Sequence, residues 1–179
     1  MNVRRLALGA VLIATIAAWT GAQGKPHASP EQTRFSAEDA SVKNPVPVPT
    51  DVFALLKKDK LVHDVLENEN VPEDRRPASW FSASKIHLSN KSLADLIVRA
   101  EPPLAGGNTD FFWVFRNTGN GYELVLSAPA HDLQIQTHRS NRCRDIEMLA
   151  ETAATFHSVV YRFDGKRYVV SRDKWEPIK

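Results

Sequence analysis

Six histidines and a single cysteine are the side chains of this 179-residue chain best suited to acid, base or nucleophilic work near neutral pH. His131-Asp132 places an imidazole beside a carboxylate, the pairing used for proton transfer or metal ligation, and His138 follows closely. A hydrolytic site would gather His131, Asp132, His138 and His157 into one concave pocket. Ser127 with His131 and an Asp would make a triad by composition alone, because no serine sits in a G-x-S-x-G elbow. There is no HExxH helix and no Cys-rich ligand set, so no metal, cofactor or catalytic residue is assigned. Cys143 could pair with His138 or His157, but flanking Arg142 and Arg144 are thin grounds for a reactive thiolate, and a buried structural cysteine is expected. Gly106-Gly107 follows Pro102-Pro103 in a loop, not a strand-to-helix turn, so it is no phosphate cradle.

The elements that must position these residues are mostly strands. After Trp80 the chain shows short β-type runs: Trp80 to Leu88, Asp95 to Ala100, Phe111 to Arg116, Tyr122 to Ser127, Leu133 to His138, Asp145 to Leu149, Phe156 to Phe163 and Arg167 to Ser171. Thr118-Gly119-Asn120-Gly121 and Asp164-Gly165-Lys166 are hairpin turns, since Asn-Gly and Asp-Gly accept the positive φ that such turns need. Before the strands, Val52, Leu55, Leu56, Val62, Val65 and Leu66 recur at three- and four-residue spacing. That spacing predicts one amphipathic helix over about 51–67, with Thr50 as N-cap and Asp51 in the first turn. The expected class is α+β: one N-terminal helix packed on a mainly antiparallel β-meander, a single domain over 50–179.

The chain's beginning carries other signals. Arg4 and Arg5 precede an apolar run from Leu6 to Trp19, too short to span a bilayer, and Thr20-Gly21-Ala22 offers a cleavage site. Residues 1–22 are therefore expected to be a signal peptide, cut after Ala22 or near Gly24, leaving an exported chain without a stable membrane anchor. Arg4 and Arg5 are two of 23 basic residues, so the mature chain carries 21 of each sign. That balance excludes nucleic acid as a partner, which wants a basic patch and net charge. Residues 23–49, with Pro26, Pro30, Pro45, Pro47 and Pro49 and few apolar residues, read as a disordered tether.

Asp95-Leu96-Ile97-Val98, preceded by turn residues from Ile86, resembles the end of an FG-GAP or VCBS repeat, in which a calcium loop leads into an apolar strand. Stepping back by twos gives Leu93, Lys91, Ser89 and His87 at the family's ligand positions. Leucine and lysine cannot ligate calcium, so the resemblance implies a loop shape without its metal. Ser140 to Ile146 echoes the same turn-then-Asp-Ile pattern. The run from Trp113-Val114-Phe115-Arg116 through Gly121-Tyr122-Glu123-Leu124 to Tyr161-Arg162-Phe163-Asp164-Gly165-Lys166 resembles uncharacterised secreted bacterial domains, which implies an exported β-rich module and no activity.

Function is then expected at the open face of a sheet. Glu123, Gln134, Gln136, His138, Arg142, Arg144, Glu147 and Arg162 would give a mixed-charge patch suited to a protein or glycan of the cell envelope. The leading expectation is an exported, non-catalytic binding module. A periplasmic inhibitor of a lysozyme-like hydrolase would need an exposed loop, for which Pro102 to Asp110 is the candidate. A hydrolase with an unrecognised site would need the histidine cluster above.

Overall fold

The computed structural model describes residues 30–66, 71–89 and 92–178; the expected signal peptide lies outside the described residues. Among the described residues, ten antiparallel strands form two five-stranded sheets. The first contains β2 (Pro45–Val46), β3 (Phe81–Ile86), β4 (Asp95–Ala100), β5 (Asp110–Asn117) and β6 (Tyr122–Ala130), in that order. The second runs β1 (Arg34–Ser36), β7 (Asp132–Ser140), β8 (Cys143–Glu151), β9 (Thr155–Phe163) and β10 (Tyr168–Pro177). All eight expected strands are present, divided into two meanders of four, each extended by one short strand from residues 34–46.

The two sheets are copies of one another. Every pair of the β5–β6 ladder maps onto a β9–β10 pair at one constant offset: Asn117↔Tyr122 onto Phe163↔Tyr168, and Phe115↔Leu124 onto Tyr161↔Val170. The bulge follows the same rule, Val114↔Leu126 becoming Val160↔Arg172. Both hairpins close alike, Thr118 N–H donating to Gly121 O and Asp164 N–H to Arg167 O, around Gly119 and Gly165, whose positive φ an L side chain rarely adopts. The sequences agree: Arg116-x-x-Gly119-x-x-Tyr122 matches Arg162-x-x-Gly165-x-x-Tyr168. Likewise Asp95-Leu-x-Val-x-Ala-Glu101 matches Asp145-Ile-x-Met-x-Ala-Glu151.

Strand alternation gives each sheet two faces, and the copies stack facing the same way. The front of the first sheet carries Leu96, Val98, Trp113 and Phe115, packed with Val52, Leu56 and Val62 of the preceding helices. Its back carries Ile97, Phe112, Val114 and Leu126, packed against Ile146, Met148 and Tyr161 from the second sheet's front. The helical layer, the first sheet and the second sheet thus form three layers. The back of the second sheet is open.

Three expectations need correction. The single helix is two, α1 (Thr50–Leu56) and α2 (Lys60–Leu66), because Asp59 caps a restart by accepting the Leu61 N–H at 2.9 Å. Leu55 is consequently exposed instead of lying on the apolar face, and Pro49, not Thr50, holds the N-cap position of α1. From Pro30 onward the supposed tether belongs to the fold. Its few apolar residues are well placed: Phe35 and Val42 are buried at 1% and 3% exposure. Arg34 pairs with Asp132 at 2.7 Å, Gln32 Oε1 accepts the Lys43 N–H at 2.6 Å, and the buried Arg99 donates to Ser36 O and Asp39 O. Limited trypsin digestion of the folded protein is therefore expected to spare Arg34 and Lys43; early cleavage at either would detach this segment from the fold.

Candidate binding surface

On the open back of the second sheet, β7, β8, β9 and β10 contribute a depression of ≈ 390 Å³ lined by Gln136, His138, Glu147, Val160, Arg162 and Arg172, with Ser171 at the bulge. Five of the corresponding positions on the back of the first sheet are Ile86, Ile97, Phe112, Leu126 and Val114, all buried against the neighbouring sheet, whereas the counterpart of Arg162 is again an arginine, Arg116. Gln136 stands for Ile86, Glu147 for Ile97, Ser158 for Phe112 and Arg172 for Leu126. Only Val160 keeps its apolar counterpart, Val114. The face that would bury a further sheet has become polar.

Its side chains are braced. Glu147 accepts from Gln136 Nε2 at 2.8 Å and from Ser158 Oγ at 2.7 Å, with Arg172 at 3.5 Å. Beside it, Asp145 Oδ2 meets His138 Nδ1 at 2.7 Å and Arg162 Nε at 3.4 Å. Asp145 is itself 3% exposed, so its carboxyl is a fixed support beneath two side chains that reach solvent. Its first-sheet counterpart, Asp95, does a different job. Both oxygens of Asp95 accept backbone N–H groups, from Leu88 at 2.9 Å and Asn117 at 2.9 Å, tying the loop after β3 to the end of β5. Asp95 is the residue that matches the end of the FG-GAP-type loop, and its oxygens face donors. Lys91, at one of that loop's ligand positions, lies outside the described residues.

Of the eight residues expected on an open face, Gln136, His138, Glu147 and Arg162 line the depression, and Gln134 stands opposite Glu147 in the ladder. The other three are elsewhere. Glu123 pairs with Arg116 on the first sheet's hairpin. Arg144 donates to Gln136 O and Ile135 O, and Arg142 occupies the β7–β8 turn with φ 69°. Asp145, Ser158 and Arg172 were missed; the offset between the copies is the sequence signal that finds them.

The residues of the expected hydrolytic cluster are dispersed. His138 lines the open back, while His157 lies on the front of the same sheet beside Asp173. His131 sits at the β6–β7 turn between Glu38 and Asp132. Burial works against ionisation of Asp132, but bonds from Ser36 and Arg34 outweigh it and hold the carboxyl below its ordinary range, as suits an anchor for β1. Ser127 is paired with Trp113 across the first sheet, and Cys143 is buried, in a bridge with Ser89. Among the described residues no group of three His, Cys, Asp or Glu converges as metal ligands would. In the Pro102 to Asp110 loop, Leu104 is folded into the core at 3% exposure and Gly106 bridges Thr109, which leaves a short exposed tip. Compared with protein-family models, curated proteins and solved structures, the chain matches none.

Proposed function

We propose that this chain is an exported, non-catalytic binding module whose recognition surface is the open back of the second sheet. One observation carries the reading: a face that is apolar in one copy is rebuilt in the other with polar side chains held in place by Glu147 and Asp145. A face that needed only to be wet could carry loose lysines and glutamates. Arg162, Arg172 and His138 present donors, and Gln136 and Glu147 present acceptors, around a shallow depression. Such a surface suits a protein or glycan of the cell envelope that offers hydroxyl and carboxylate groups. Export rests on Arg4, Arg5, the apolar run after them and Thr20-Gly21-Ala22.

The test uses residues 23–179, immobilised and exposed to solubilised envelope protein and glycan, with Arg162→Ala/Arg172→Ala as the comparison. Both arginines are more than half exposed, so the double variant is expected to unfold within about 0.5 kcal/mol of the parent. The expected outcome is a saturable ligand retained by the parent and lost by the variant. A ligand held equally by both would move recognition off this face.

A further inference from the structure

The two copies differ most in how their second and third meander strands are joined. In the first, Glu101–Thr109 connects β4 to β5, and this connection folds Leu104 and Ala105 back onto the sheet's front, beside Ala100 and Phe111. In the second, Thr152, Ala153 and Ala154 make the whole connection from β8 to β9. The counterparts of Ala100 and Phe111 are Ala150 and His157, and among the described residues the three-residue β8–β9 connection brings no side chain back over them as Leu104 covers the first pair. What is left is a cleft of ≈ 410 Å³ lined by Ala150, His157, Val159, Tyr161, Val170 and Asp173.

At its edge Trp175, 58% exposed, lies flat against His157, with ring centroids 3.7 Å apart and an interplanar angle of 9°. Asp173 Oδ1 meets His157 Nε2 at 2.7 Å and fixes the imidazole beneath the indole. Val170 adds exposed apolar surface at 55%. The floor reaches Met148, which belongs to the core between the sheets, so the cleft continues an interface the molecule already builds. Polar side chains are few: Asp173 with the His157 it holds, Thr109 and the Tyr161 hydroxyl. Burial, with the Asp173 charge adding to it, raises the Tyr161 pKa, so that hydroxyl keeps its proton and donates.

We propose that this cleft binds an extended, proline- and leucine-bearing segment of a partner protein, laid on the front of the second sheet as Leu104 and Ala105 cover the first. The rigid Trp175–His157 surface takes a proline ring, as aromatic-lined grooves do for extended Pro-rich chains, and the apolar floor takes a leucine. Asp173 accepts a peptide N–H, and Thr109 and Tyr161 donate to peptide carbonyls. The site is on the opposite face from the open back and stands independently of that reading.

The experiment selects a displayed library of random twelve-residue peptides on residues 23–179 and measures the enriched peptides by titration against the parent, Trp175→Ala and Val170→Ser. Both positions are exposed, and thermal unfolding confirms that the variants fold. Enrichment of Pro- and Leu-bearing peptides is expected, with affinity falling about tenfold or more in Trp175→Ala and competition by the peptide Glu-Pro-Pro-Leu-Ala-Gly, residues 101–106 of this chain. Three outcomes would overturn the proposal: no enriched class, binding that survives Trp175→Ala, or displacement from the cleft by soluble oligosaccharide or by self-association through Trp175.

Discussion

Trp113→Ala is expected to lower the unfolding free energy by about 3–5 kcal/mol, read as a shift of the urea midpoint at unchanged slope. Trp113 is fully buried at the centre of the first sheet's front, edge-on to Phe81 at 5.6 Å and tilted against Phe111 at 6.4 Å, with Leu56 and Val98 in the same cluster. Sheet and helices close over it together. A cavity there cannot be filled by one element without loosening the other, and a domain with roughly 5–15 kcal/mol in total would lose a large share. Trp113→Phe separates size from polarity. The indole N–H has no hydrogen-bond partner among the described residues, so phenylalanine removes an unsatisfied donor while keeping most of the ring, and the loss is expected near 1 kcal/mol. Equal losses for Ala and Phe would show that the pocket depends on the N–H instead of the volume.

Asp95→Ala and Asp145→Ala remove the same residue from the two copies, and the outcomes should differ widely. Without the Asp95 carboxylate, the Leu88 and Asn117 N–H groups lose their acceptor in a site that is 1% exposed, a cost of about 2–5 kcal/mol. Without Asp145, His138 and Arg162 turn to solvent, since their side chains are 67% and 55% exposed, and one unsatisfied carboxylate oxygen disappears. That change is expected to stay within about 1 kcal/mol while loosening the binding face. Acidity gives a second readout. Burial holds the Asp95 carboxyl above its ordinary range despite its backbone donors, so the folded chain takes up this proton more readily than the unfolded one. Its contribution therefore falls as pH rises from the ordinary value of 3.8 through the raised one, and Asp95→Ala should lack that part of the pH profile. Equal destabilisation by the two alanines would contradict the division of labour between the copies.

Strand positions were legible in the sequence because alternation and Gly-bearing turns are local. Thr118 to Gly121 and Asp164 to Lys166 each mark a hairpin that the structure contains. The division into two sheets was not legible, because β6 and β7 are joined through His131 yet do not pair, and β7 takes β1 as its neighbour instead. Phe35 and Val42 looked too sparse to hold a segment; two deep anchors with Arg34, Gln32 and Arg99 hold it. The binding face was half legible. Gln134, Gln136, His138, Glu147 and Arg162 fall on one side by alternation, but Arg172 is placed there by the β10 bulge. Taken alone, Asp145 and Ser158 read as ordinary strand residues; only their correspondence to Asp95 and Phe112 marks them. The echo at Ser140 to Ile146 was the visible trace of that duplication.

Stacking front onto back gives the molecule a direction, as a row of tiles all laid the same way has a leading and a trailing edge. Both edges are finished: α1 and α2 roof the leading one, and charge closes the trailing one. Everything between is a repeating joint, Ile146 and Met148 on one side meeting Ile97 and Phe112 on the other. A third tile inserted between Ala130 and Asp132 would find a matching surface on each side and leave both finished ends as they are.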